Sequence, residues 1–327
     1  MLLNIVYIIV GVALVLWGAD RLTEGASSLA RGMHVPEIVI GLTIVAAGTS
    51  APELFVSLVS ALKGTSDLAV GNVIGSNIFN TMLIVGCSAV VAPIVVSKST
   101  VRKDIPFAVF ASLLLFILCF DDMDSPHLWG NEISRSDGVI MLLVFMVFMI
   151  YTFRSAKKDG LMPTPEELDE LDELPKDYSK LWRNLFFIVL GLACLIGGSD
   201  LFVNAASYVA HRYGVRQSVI GLTIVAGGTS LPELATSVVA AYKGRSELAI
   251  GNVIGSNVLN ILLVLGMTAV IHPLRIMGIT IVDLMMMLVS VGILWLFAYT
   301  KLSVSRREGV ILIIGFLAYL GWLLYLL

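Results

Sequence analysis

The chain has 327 residues, of which 57% are hydrophobic and only 14% charged, with a mean hydropathy of +0.93. A soluble domain carries roughly 25% charged residues, so this composition excludes an ordinary soluble enzyme and points to a helical membrane protein whose solvent is the lipid bilayer. The net charge of −3 carries little, because membrane orientation follows Lys and Arg placement; no nucleic acid and no obligatory protein partner is expected.

A membrane-crossing helix needs about 20 mostly apolar residues. In chain order the apolar runs predict ten: 2–20, 37–62, 67–92, 104–120, 138–154, 184–210, 216–242, 247–271, 277–299 and 308–327. The first basic residue is Arg21, so the apolar start reads as a first transmembrane helix and not as a cleaved signal peptide. Between the fifth and sixth runs lies the polar stretch 155–183, which contains PTPEELDELDELPKD and is too charged to insert. The chain thus divides into a five-helix unit (1–154), a cytoplasmic linker (155–183) and a second five-helix unit (184–327). Cys87, Cys119 and Cys194 stand singly in apolar runs as packing residues, and His34, His127, His211 and His272 show no zinc-ligand spacing.

Lys and Arg placement sets membrane orientation. With the N-terminus outside, the inner loops hold 15 basic residues and the outer loops 5, leaving Arg21 inside the first helix. Both termini are therefore expected outside a cell (inner) membrane, with the long linker in the cytoplasm.

The chain also repeats itself. Residues 41–86 (GLTIVAAGTSAPELFVSLVSALKGTSDLAVGNVIGSNIFNTMLIVG) and 221–266 (GLTIVAGGTSLPELATSVVAAYKGRSELAIGNVIGSNVLNILLVLG) align without a gap at an offset of 180 residues, identical at 30 of 46 positions. The offset extends back to Gly11/Gly191, Asp20/Asp200 and Ala26/Ala206. Five helices per repeat is an odd number, so the second copy enters the membrane inverted. Inverted repeats of this kind supply the two equivalent conformations of alternating access.

Each repeat carries a GTS-x-PE segment in mid-membrane. Pro52 and Pro232 remove an N–H and disturb the carbonyls of Gly48 and Gly228, so helices two and seven are expected to break. Freed carbonyls at that depth persist where they line a cavity or meet a cation. Glu53 and Glu233 lie beside these breaks, and a carboxylate in the membrane is costly unless it has a partner. Thr49 lies four residues before Glu53, as Ser76 does before Asn80, so each pair shares a helix face. The second copy repeats this with Thr229/Glu233 and Ser256/Asn260, and Ser50 and Ser230 add hydroxyls.

Together these side chains form an all-oxygen shell with two carboxylates. Such a shell suits calcium or sodium over magnesium, with no nitrogen or sulfur for softer metals. Calcium and sodium are then transported substrates, and no cofactor is called for. Two carboxylates brought together also bind protons, so protons are expected to compete with calcium. Gly71, Gly75, Gly251 and Gly255 form small-residue stripes for close helix packing. Asn72, Asn77, Asn252 and Asn257 fit interhelical hydrogen bonds or ligation, and Asp20, Asp200, Asp104 and Asp283 rank below the glutamates.

At GTSAPE with GNVIGSNIFN, and GTSLPE with GNVIGSNVLN, the chain resembles a sodium/calcium exchanger of the cation/calcium antiporter superfamily, prokaryotic type. The resemblance covers essentially the whole chain. It implies an ion cluster between helices two, three, seven and eight, three sodium ions exchanged for one calcium, and helices one and six sliding against the rest. The implied ligands are Thr49, Ser50, Glu53, Ser76, Asn80, Thr229, Ser230, Glu233, Ser256 and Asn260, with the carbonyls of Ala46 and Ala226 nearby. Asn260 stands where some members and the potassium-dependent branch carry aspartate, so no potassium requirement is expected. Three sodium ions on a site of charge −2 make exchange electrogenic. A proton/calcium or other divalent-cation exchanger on the same fold is the alternative. A cation channel fits less well, because channels are usually symmetric oligomers. No nucleophile–base pair suggests an enzyme.

Overall fold

The computed structural model describes residues 2–32, 35–119, 132–158, 178–213, 226–276 and 279–326. Among them the helices are α1 (Leu2–Gly32), α2 (Glu37–Thr49), α3 (Ala51–Leu62), α4 (Ser66–Val91), α5 (Ile105–Leu118), α6 (Arg135–Lys158), α7 (Tyr178–Arg212), α8 (Ala226–Thr229), α9 (Leu231–Tyr242), α10 (Ser246–Ile271), α11 (Ile281–Lys301) and α12 (Arg306–Leu326). Seven of these are long and apolar enough to cross a membrane, and α2 with α3 makes an eighth if counted as one bent span. Two of the ten expected spans do not appear among these eight. The fourth begins with the charged turn Arg102-Lys103-Asp104 before α5, whose 14 residues fall short of a full crossing. The seventh runs partly through 214–225, outside the described residues.

Helix boundaries differ most at α1, which runs to Gly32 and not to residue 20. The charged residues just past the expected end are satisfied along the helix. Arg21 bonds Asp20 at 2.7 Å and Glu24 at 3.0 Å, so the helix continues through them. Likewise α6 and α7 extend into the expected linker from either side, and 159–177 lie outside the described residues.

The expected all-helical class needs one addition. Strand β1 (Ile94–Val95) pairs antiparallel with β4 (Ser303–Val304), and β2 (Glu132–Ile133) pairs with β3 (Leu274–Arg275). These two-residue ribbons tie together loops at helix ends.

Close packing rests on glycine. α1 and α7 form an antiparallel pair in which Gly11 faces Gly198 and Gly18 faces Gly191. A Cβ on Gly11 would lie 2.8 Å from the Gly198 carbonyl, and one on Gly18 2.7 Å from that of Gly191. α4 meets α12 at Gly86 and Gly309, and α6 meets α10 at Gly138 and Gly266. Gly251 and Gly255 press on α2, where a Cβ on Gly255 would meet Leu42 backbone at 2.7 Å. Gly71 and Gly75 show no such contact, and the matching segment, 218–225, lies outside the described residues.

The apolar interior falls into two clusters. The larger joins α4, α5, α6, α10 and α11. The smaller, rich in alanine, holds α1 and α7 against α9 and the start of α10.

Candidate ion-binding site

The site forms where α2 gives way to α3 and α8 to α9. Each break falls on a serine: Ser50 (φ −83°, ψ 5°) and Ser230 (φ −92°, ψ 7°). α2 and α3 meet at a 45° bend. Pro52 and Pro232 stand in the first turns of α3 and α9, where a missing N–H leaves no unmade bond. The break expected from GTS-x-PE is therefore present in both copies. It places Glu53 and Glu233 in the first turn of a new helix, whose N-terminal end favours a negative charge.

Both glutamates are fully buried. Each is held by the serine of the other repeat: Ser50 Oγ donates to Glu233 Oε1 at 3.0 Å, and Ser230 Oγ donates to Glu53 Oε1 at 3.0 Å. The second oxygen, Oε2, of each is buried without a hydrogen-bond partner among the described residues. Neither carboxylate has a Lys or Arg partner there. No third Asp, Glu, His or Cys joins them in a metal-like cluster among the described residues.

Around the carboxylates the oxygen donors fall into place. Ser230 Oγ also contacts Ser76 Oγ at 3.2 Å. Thr49 Oγ1 lies within hydrogen-bonding distance of three acceptors, the carbonyls of Val45 at 3.1 Å and Ala46 at 3.4 Å and Asn252 Oδ1 at 3.2 Å, and its single proton goes to one of them at a time. The Ala46 carbonyl also accepts from the Ser50 N–H at 2.9 Å. Thr229 closes α8 beside the Ser230 break. Ala226 opens α8, but its side chain lies outside the described set. Ser256, Asn80 and Asn260 are buried, and the Ser256 hydroxyl and both atoms of each side-chain amide lack hydrogen-bond partners among the described residues.

Asn80 and Asn260 lie in widened π-type turns, Phe79–Ile84 and Asn260–Leu265. Such turns interrupt the regular ladder and are frequent at functional sites.

A supporting frame surrounds this shell. Asn72 Nδ2 donates to Ser57 Oγ at 3.1 Å and to the Glu53 carbonyl at 3.4 Å. Asn252 Nδ2 repeats both bonds, to Ser237 Oγ at 3.0 Å and the Glu233 carbonyl at 3.5 Å. Asn72 and Asn252 thus clamp the helices that carry the glutamates. Ser57 and Ser237 were not singled out from the sequence; their signal was a serine four residues after each glutamate, one turn along the same face. Ser199 Oγ bonds the carbonyl of Gly228, one of those disturbed by the break. Its repeat counterpart is Ala19, so no repeat signal marked it. Of the lower-ranked acids, Asp283 caps α11 and accepts from Tyr319 Oη at 2.6 Å, while Asp20 pairs with Lys243 at 2.6 Å.

The family model for sodium/calcium exchanger proteins matches residues 3–154 and 183–325. The chain belongs to the sodium/calcium exchanger family. It is 35% identical to inner membrane protein YrbG of Escherichia coli, over 100% of this chain and 98% of the relative. It is 30% identical to sodium/calcium exchanger MaX1 of Methanosarcina acetivorans, over 99% of each. Solved structures of the sodium-calcium exchanger NCX_Mj superpose with a TM-score of 0.83 at 28% identity, covering 98% of each chain. This family member is therefore an integral membrane antiporter whose activity is cation/calcium exchange.

Proposed function

We propose that the protein exchanges about three sodium ions for one calcium by alternating access, with Glu53 and Glu233 as the charges that both ions share. The observation that carries this reading is a pair of fully buried carboxylates with no basic partner among the described residues. Burying a charge without a counter-charge costs several kcal/mol, so a site of this kind calls for a cation. The remaining ligands are the hydroxyls of Thr49, Ser50, Ser76, Thr229, Ser230 and Ser256, the amide oxygens of Asn80 and Asn260, and the carbonyls of Ala46 and Ala226. Calcium neutralises the two glutamates, and three sodium ions leave a net +1, so exchange is electrogenic.

The reading includes ten spans in two inverted repeats with both termini outside. It is supported by reciprocity. Several contacts recur at the repeat offset, Ser50–Glu233 with Ser230–Glu53 and Gly11–Gly198 with Gly18–Gly191, and β1 of one ribbon lies 180 residues before β3 of the other. Residues assigned to the inner face also touch one another, as in Arg245–Glu37 at 2.7 Å and Lys103–Ser155 at 2.6 Å. The glycine seam makes α1 and α7 one body, which is the unit that slides.

The test is calcium uptake into proteoliposomes loaded with sodium, against vesicles carrying only a proton gradient. Uptake that requires internal sodium and responds to an imposed voltage supports the reading. Uptake driven by protons and indifferent to sodium replaces it with the proton-coupled alternative.

A further inference from the structure

We propose that Asp20 and Lys243 form a latch that holds one gate closed, and that the repeat-related pair Lys63 and Asp200 takes its place when the opposite gate closes. This rests on the alternating-access reading above.

The two lysines occupy the same local structure. Lys63 follows α3 and Lys243 follows α9, with nearly equal backbone angles (φ −84°, ψ 1° and φ −79°, ψ 5°). Each is followed by a glycine at positive φ, Gly64 at 78° and Gly244 at 74°, the region where a side chain is disfavoured. The backbone bonds match as well. Lys63 N–H bonds Val59 and Gly64 N–H bonds Ala61, while Lys243 N–H bonds Val239 and Gly244 N–H bonds Ala241, each pair at 3.0 and 2.9 Å. The acids Asp20 and Asp200 lie at equivalent positions of α1 and α7, 180 residues apart. Sequence and local geometry thus provide two interchangeable ion pairs.

Only one is made. Lys243 Nζ lies 2.6 Å from Asp20 Oδ1 and donates to the Asp20 carbonyl at 3.3 Å. Lys63 and Asp200 are both exposed, and among the described residues neither has an ion-pair partner. Because the two turns are alike, the difference lies in where the α1–α7 body sits between them. That body touches both breaks through α7: Leu192 packs at Gly48, Val203 packs at Gly228, and Ser199 holds the Gly228 carbonyl. Movement that draws Asp200 toward Lys63 carries Asp20 away from Lys243. Asp20 then keeps Arg21 as a local partner at 2.7 Å, whereas Asp200 is followed by Leu201. Loss of the inner pair therefore leaves no orphan charge on α1.

The pair is partly exposed, with side chains 33% and 27% accessible. An ion pair of that kind biases a two-state equilibrium by about two- to fivefold, enough to tune a gate without freezing it. The test uses the full-length protein with Cys87, Cys119 and Cys194 changed to alanine, in proteoliposomes. Asp20→Cys/Lys243→Cys and Lys63→Cys/Asp200→Cys are treated with a short reducible thiol cross-linker. Both pairs should link, each should stop exchange until reduced, and saturating sodium or calcium on one face should raise one linkage as it lowers the other. In uncross-linked protein, Asp20→Asn and Lys63→Gln should shift the ratio of calcium half-saturation on the two faces in opposite directions, about two- to fivefold, and Asp20→Lys/Lys243→Asp should reverse the Asp20→Asn shift. Failure of Lys63→Cys/Asp200→Cys to link under any ion condition, while reduced protein still exchanges, overturns the latch alone. Variants that lower both faces equally also overturn it. Absence of sodium-driven calcium uptake in the unmodified protein overturns the exchange reading and the latch with it.

Discussion

Ser50 precedes Glu53 by three residues, yet its hydroxyl bonds Glu233 in the other repeat at 3.0 Å. Changing Ser50 to alanine therefore removes support from a carboxylate on a different helix. A hydrogen bond to a charged group contributes about 1.5–3 kcal/mol, and a buried acceptor left unpaired loses that amount. The expected loss of calcium affinity is about 10- to 150-fold, with the same loss for Ser230→Ala, whose bond to Glu53 is equally long. A double-mutant cycle separates the partners. In calcium titrations of purified protein, Ser50→Ala should couple to Glu233→Gln by about 1 kcal/mol or more and add to Glu53→Gln independently. Coupling of Ser50 to Glu53 instead, or additivity with both glutamates, would refute the crossed arrangement.

Three further outcomes follow from the same geometry. Gly255→Ala places a methyl 2.7 Å from Leu42 backbone, an overpacking worth about 1–3 kcal/mol, and should lower the thermal midpoint in detergent. Thr280→Ala removes the cap on α11, where Thr280 accepts from Asp283 N–H at 3.3 Å; stability should fall by about 0.5–2 kcal/mol while exchange is retained. Mildly acidic buffer should slow calcium exchange in a way that added calcium reverses, since protons and calcium compete for one carboxylate pair; slowing that added calcium does not relieve would place the proton elsewhere.

Much of the site was legible because its chemistry is written locally. A proline two residues after a serine marks where the helix must restart, and both Ser50 and Ser230 are the restart points. Glu53 and Glu233 stood out as charges where lipid forbids them. The pairing across repeats was not legible, because sequence spacing reports only neighbours on one helix. Residues Ser57 and Ser237 were hidden for a related reason: a buried serine resembles a packing residue until Asn72 and Asn252 are seen to reach it. The end of α1 lies past the apolar run, because Asp20, Arg21 and Glu24 satisfy one another along the helix. The ribbons at Ile94–Val95 and Glu132–Ile133 are too short for any alternation to show.

The most direct test of the shared site places wild type, Glu53→Gln and Glu233→Gln in sodium-loaded proteoliposomes and follows radioactive calcium uptake, with calcium binding and its displacement by sodium measured on the same preparations. Removing one partner of a buried charge pair costs about 3–5 kcal/mol, so each variant should bind calcium about 10²- to 10⁴-fold more weakly and lose sodium-driven uptake. Retention of both properties by either variant would contradict the account.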